Sequence, residues 1–203
     1  MKILHVNAGL FGDNSVSTQL TAKLVERLKA DYPGADVVTR DVASNPVNHL
    51  DAEILMAAST DETSRSERQV NELATTEALL EEVFAADILV IGAPMYNFTI
   101  PSQLKAWFDR VAQAGRTFRY TENGPEGLLT DKKAYIASAR GGFYSEGEAA
   151  ALDHQESYLT TMLGFVGISD VTVVRAEGLN ISDSQRQESI QAASKNIDAL
   201  AIG

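Results

Sequence analysis

No cysteine occurs in the 203 residues. That absence excludes disulfides, thiolate metal sites and a cysteine nucleophile, and it fits a reducing cytosol. Basic residues are also scarce: 17 Lys and Arg face 28 Asp and Glu, a formal charge of −11. Nucleic acid and anionic membrane surfaces both reward Lys and Arg, so neither is expected as a partner. The acidic residues are spread along the chain, as solvated surface charge is. No apolar run approaches the length of a membrane span, and residues 1–6 run straight into a strand pattern without a signal-peptide core. Histidine is rare and scattered: His5, His49 and His154 form no His-Glu-x-x-His pair, and no metal site is expected. There is no Gly-x-Ser-x-Gly elbow, no Walker A loop and no Gly-x-Gly-x-x-Gly. His5, inside a presumed strand, reads as structural, and carboxylate pairs such as Glu81-Glu82 read as solvated helix faces.

What is present is a globular composition. Hydrophobic residues make up 44% and charged residues 22%, enough to bury a core without staples. No repeat, linker or low-complexity tract divides the chain, so one domain over 1–203 is expected. Apolar runs at 2–8, 35–42, 87–93, 133–139 and 171–174 read as strands. Helical patterns separate them, opening at Asn14 or Ser15 for the first, then spanning 51–57, a stretch ending at 86, 101–114, 153–164 and a last one from 184. Phe118 to Gly127 alternates around Asn123-Gly124, a hairpin excursion near 117–127. This predicts an α/β fold: a parallel sheet of order 2-1-3-4-5 with helices on both faces. Residues 58–68 hold no large apolar side chain and are expected to be the mobile segment.

The pivotal stretch is Ile88-Leu89-Val90-Ile91-Gly92-Ala93-Pro94-Met95-Tyr96-Asn97-Phe98. A strand buried on both faces leads into Pro94, expected to end the ladder for want of an N–H, and Pro101 is expected to start the next helix. The residues after Pro94 either cap the core or meet a flat, hydrogen-bonding ligand. Three loops follow strands that lie side by side in the 2-1-3-4-5 order: 9–17, 94–100 and 140–144. They converge on the carboxyl edge, where open α/β sheets bind ligands. The first can address an anion through a helix start and its Ser and Thr hydroxyls, although alone it reads as an ordinary capped helix. Asn97 offers donor and acceptor, or serves as a turn residue tolerating left-handed geometry. Gly141-Gly142 lets backbone N–H groups approach a ring, or is a plain turn. The Arg140 guanidinium reads as a solvated charge. With no acid–base machinery in view, a cofactor carrying its own chemistry is expected.

Several segments are specific: Ala93-Pro94-Met95-Tyr96-Asn97-Phe98, Gln103-Leu104-Lys105, the run Phe118-Arg119-Tyr120-Thr121-Glu122-Asn123-Gly124-Pro125-Glu126-Gly127-Leu128, and Arg140-Gly141-Gly142. In this order, and with residues 163–168, they closely resemble the FMN-dependent NADH-azoreductases over essentially the whole chain. The resemblance implies a flavodoxin-like three-layer sandwich and a cytoplasmic homodimer with one FMN per subunit at the interface. It implies an oxidoreductase that takes hydride from NADH or NADPH and reduces quinones and aromatic azo compounds by ping-pong turnover. Cofactor contacts are carried over to Gly9, Ser15, Val16 and Ser17 for the phosphate. Pro94, Met95, Tyr96, Asn97 and Phe98, with Ala139, Arg140, Gly141 and Gly142, are carried over for the ring and ribityl chain. Tyr120, Phe143, Tyr144 and Met162 are carried over to the substrate pocket, with Tyr120 and Met162 reaching it from a second subunit. The chain departs from the family pattern at Gly9 and Ala139, where many members have serine. It also departs at Tyr144 and Met162, where some have His and Phe; these changes bear on substrate preference. The alternatives are a flavodoxin-like electron carrier without its own quinone reductase activity, and a sheet scaffold without flavin.

Overall fold

The computed structural model describes residues 1–202; Gly203 lies outside the described residues. Five parallel strands form the main sheet in the order β2-β1-β3-β6-β7. They are β1 (Lys2–Asn7), β2 (Asp36–Asp41), β3 (Ile88–Pro94), β6 (Lys133–Ala139) and β7 (Asp170–Ala176). Counted without the hairpin, this is the expected 2-1-3-4-5. The hairpin is β4 (Phe118–Thr121) with β5 (Gly124–Gly127). Its pairing of Thr121 with Gly124 puts Glu122 and Asn123 in the turn, one residue earlier than the Asn-Gly signal implies. Gly124 follows at φ +107, a conformation that favours glycine.

Every residue of β3 is buried, as a central strand covered on both faces requires. Alternate side chains go to opposite layers. Leu89 and Ile91 join Leu4, Val6 and Ile136 under Leu79, Val83, Leu104, Trp107, Phe108 and Leu159. Those partners belong to α3 (Glu67–Ala85), α4 (Ser102–Val111) and α5 (Glu156–Phe165). Ile88 and Val90 join Ile3, Tyr135 and Ala137 on the other face. There they meet Leu20, Leu24 and Leu28 of α1 (Val16–Asp31) and Ala193 and Ile197 of α6 (Asp183–Asp198).

The β3–β6 ladder ends at Pro94, as expected, though Pro94 itself is still paired. It pairs with Ala139, and the Met95 N–H donates to the Ala139 carbonyl at 2.8 Å. Since Met95 faces β6, the missing N–H of Pro94 would face the β1 side, where β1 has already stopped opposite Gly92. Pro101 is the N-cap of α4 rather than its first residue. His5 is buried with its Nε2 unpartnered, and burial lowers its pKa against a weaker opposing bond from Asn7, so it is neutral at pH 7.

The 58–68 segment, which has no apolar core, carries a hydrogen-bond and ion-pair network. The Arg65 Nε donates to the carbonyls of Ala57 and Thr60 at 3.2 and 3.1 Å. Arg68 bridges Asp51 at 2.5 Å and Glu53 at 2.6 Å, next to α2 (Ala52–Ala57). Ser66 caps α3 through a reciprocal bond with Gln69. The polar side chains that ruled out a core there make a hydrogen-bond network instead.

Candidate functional site: a cleft at the carboxyl edge of the sheet

Four loops meet at the carboxyl ends of β1, β3, β6 and β7. The cleft between them is lined by Phe11, Asn14, Ser15 and Val16, by Pro94 to Tyr96, by Ala139 to Gly141, and by Leu179, Asn180 and Arg186. A continuation is lined by Met95, Asn97, Phe98, Gly141, Tyr144 and Asn180, and a neighbouring one by Leu10 and residues 95–97 and 99–103.

The turn after β3 is under local strain. Tyr96 and Thr99 exchange backbone bonds at 2.9 and 3.2 Å. The two residues between them, Asn97 and Phe98, have φ of 50 and 71 and are the only non-glycine residues with positive φ among the described ones. Both central residues therefore have the signs of a type I′ turn, which suits Asn but strains Phe. A left-handed non-glycine residue costs about 1–2 kcal/mol. The bond from the His154 N–H to the Phe98 carbonyl at 3.0 Å and that from the Thr99 hydroxyl to the His154 carbonyl at 3.0 Å hold it. Phe98 meets Tyr144 edge to face, centroids 6.1 Å apart. Strain maintained at such a place points to use of the turn.

The start of α1 is left open. Ser15 is its N-cap by position, but its hydroxyl makes no cap bond. The Ser15 Oγ instead accepts the Phe11 N–H at 3.1 Å and turns toward Gly9. A Cβ on Gly9 would stand 2.5 Å from Ser15 Oγ and 2.9 Å from Thr18 Oγ1. Side-chain caps close α2, α3 and α6, whereas α4 and α5, like α1, have none from their N-cap residue. The Ser17 and Thr18 hydroxyls are buried and unpartnered. An uncapped helix start with spare buried hydroxyls fits an anion such as a phosphate.

Behind the Gly141-Gly142 loop lies a charge cluster. The solvated reading of Arg140 is overturned: its side chain is fully buried. It donates to Asp153 at 2.7 Å, Glu156 at 2.5 Å, Glu177 at 3.1 Å, Gln155 at 2.9 Å and Ser138 at 3.0 Å. Gln155 passes a bond to the Ala93 carbonyl at 2.6 Å, linking the cluster to the end of β3. Glu177 accepts the Tyr144 N–H at 2.8 Å and the Ser145 hydroxyl. Burial pushes the Glu177 carboxyl up, but Ser145, the Tyr144 N–H and Arg140 together bring it below the ordinary carboxylate value. Arg140 thus joins the loops after β6 and β7 to the approach to α5. The N–H groups of Asn97, Gly141 and Gly142 have no partner among the described residues and are available as donors. A Cβ on Gly141 would stand 2.6 Å from Asn180 Nδ2, so only glycine permits the approach.

The residues carried over from the resemblance divide by place. Ser15, Val16, Pro94, Met95, Tyr96, Ala139, Arg140 and Gly141 line the main cleft, and Asn97, Phe98 and Tyr144 its continuation. Gly9 and Ser17 are buried behind the α1 start. Phe143 packs by Gly178, whose Cβ would stand 2.6 Å from its ring, and Gly142 underlies Tyr144. Tyr120 stands 75% exposed on the hairpin and Met162 packs on the core; neither lines the cleft. The sequence reading missed Leu179, Asn180 and Arg186. The available signal was that Glu177-Gly178-Leu179-Asn180 also follows a strand at the same edge. No cluster of His, Asp and Glu that could hold a metal exists among the described residues, and no helix is long and apolar enough to cross a membrane.

The family model described as "Flavodoxin-like fold" matches residues 1–201. An FMN-dependent NADH:quinone oxidoreductase of Azospirillum brasilense is 53% identical, over 100% of this chain and 98% of that protein. One of Chromobacterium violaceum is 46% identical over 100% of both. Among solved structures, an FMN-dependent NADH-azoreductase of Bacillus anthracis in complex with FMN superposes with a TM-score of 0.87, at 27% identity and 99% coverage of each chain.

Proposed function

The chain belongs to the flavodoxin-like family of FMN-dependent NADH:quinone oxidoreductases, and we propose that its cleft holds FMN between the start of α1 and the strained turn at Asn97 and Phe98. The protein is an FMN-dependent oxidoreductase that uses NADH to reduce quinones. When bound there, FMN would supply the two-electron hydride chemistry that links NADH to the acceptor.

The chain's own residues do the rest. The uncapped N–H groups of α1 and the Ser17 hydroxyl receive the phosphate. The free N–H groups of Asn97, Gly141 and Gly142 donate to the polar edge of the ring, where they stabilise negative charge without reorganising. Met95, Tyr96, Phe98 and Tyr144 supply apolar surface that excludes water and orients a flat partner. One site serving reductant and acceptor in turn gives ping-pong turnover, and the aromatic rings of Tyr96, Phe98 and Tyr144 offer faces to aromatic azo compounds as well as quinones.

We further propose a cytoplasmic homodimer in which the chain is one FMN-binding unit and Tyr120 and Met162 complete the partner's cleft beside Phe143 and Tyr144. The exposure of Tyr120, with Phe11, Leu55 and Met56 each more than half exposed, supports this. The convergence of four strand-end loops on an uncapped helix start is the observation that carries the reading. Its test is to identify the flavin released from the purified protein, then assay NADH and NADPH against a quinone and an azo dye. A yellow protein that oxidises NADH with a quinone, with no added reductase, is expected. FMN without such turnover would make it an electron carrier; a colourless protein that takes up no FMN would make it a scaffold.

A further inference from the structure

We propose that Arg186, on the first turns of α6, binds the 5′-phosphate of FMN and supplies this chain's cationic contact to it. The proposal rests on the FMN reading above. Among the described residues every other arginine has a carboxylate or a backbone carbonyl as partner. Arg186 has no side-chain hydrogen bond or ion pair, in a chain whose charge is −11. An arginine left unpaired amid so much negative charge is available to an external anion.

Its position points to the phosphate. Arg186 lines the cleft shared by Asn14, Ser15 and Val16 with Met95, Tyr96 and Gly141, and it is absent from the lining of the Asn97–Tyr144 continuation. The helix register agrees. Lys23 on α1 reaches Ser194 on α6 at a sequence offset of 171, and Arg27 reaches the Leu200 carbonyl at an offset of 173. The two helices therefore run parallel, and the same offset sets Arg186 beside Ser15, the open cap of α1. Asp13, the acidic residue of this loop, is exposed and does not line the cleft. The local chemistry has room for a cation: residue 9 has no hydroxyl to donate. A guanidinium at the rim adds a charge-assisted bond to those of the α1 N–H groups.

The test strips flavin from purified holoprotein and titrates FMN and riboflavin back, followed by quenching of flavin fluorescence. Arg186→Gln, Arg186→Lys and the unaltered protein are compared, with unfolding midpoints as a control for folding. Arg186→Gln is expected to raise the Kd for FMN by about 5- to 20-fold and to leave that for riboflavin, which has no phosphate, unchanged. It should also flatten the salt dependence of FMN binding, and Arg186→Lys should recover part of the loss. An unchanged Kd for FMN, or an equal loss for both flavins, would overturn the proposal. An unaltered protein that binds neither flavin would instead bring down the FMN reading on which it stands.

Discussion

Replacing Arg140 with methionine keeps much of its length and removes its charge. The structure sets the cost. Arg140 is fully buried and bonded to Asp153, Glu156 and Glu177, of which Glu156 has a second cation in Arg175 at 2.7 Å. Removing one member of a buried charge cluster leaves the others uncompensated and costs about 3–5 kcal/mol. At about 2–4 °C per kcal/mol for a chain of this size, the Tm should fall by roughly 6–20 °C. The pH dependence gives a second check. In the unaltered protein Glu177 lies below the ordinary carboxylate value. Its contribution is therefore present above the unfolded value of about 4.3 and disappears only as pH falls through its lower folded value. In Arg140→Met the same carboxyl keeps the burial that pushes it up and loses the guanidinium that helps pull it down. Proton uptake then relieves the variant, and the Tm gap should narrow between about pH 7.5 and about pH 5.5. Circular dichroism melts of the holoprotein at the two pH values measure both effects. A drop smaller than about 2 °C, or a gap that widens on acidification, would refute this account of the cluster.

Asn97→Ala should weaken FMN retention or lower turnover, since it removes the amide and places alanine at a positive φ costing about 1–2 kcal/mol; unchanged flavin content after gel filtration together with unchanged rates would count against the site. Gly9→Ser adds a Cβ that would stand 2.5 Å from Ser15. It should therefore destabilise by about 1–3 kcal/mol in urea titration without tightening FMN binding. Tyr120→Ala should shift stability by less than about 0.5 kcal/mol, because the ring is 75% exposed, while lowering kcat/KM for the quinone. An unaltered kcat/KM in an intact dimer would remove Tyr120 from the partner's cleft.

Local pattern carried much of this protein. The run from Ile88 to Ala93 announced a strand buried on both faces, and alternation around Asn123-Gly124 announced the hairpin, because burial periodicity and turn chemistry are properties of neighbouring residues. The loops after β1, β3 and β6 could be brought to one edge from strand order alone. The loop after β7 belonged with them, and Leu179 and Asn180 were overlooked because no motif marks them. The 58–68 stretch shows another limit. Its polar composition correctly excluded a core but could not distinguish free side chains from Arg68 bridging Asp51 and Glu53.

By itself the sequence determined the α/β class, the order of elements and the exclusion of disulfide and thiolate sites, which follow from composition and from spacings of a few residues. The flavin chemistry came from its resemblance to a known family. Tertiary structure alone decided that Arg140 is a buried hub rather than a surface charge, that Ser15 serves its own loop, and that Arg186 stands beside it. Each of those depends on groups brought together across long separations: Arg140 meets a carboxylate 37 residues away, and α1 meets α6 across 171. Side-chain type states what a group can bind, but only the register of packed helices and strands states what lies within reach.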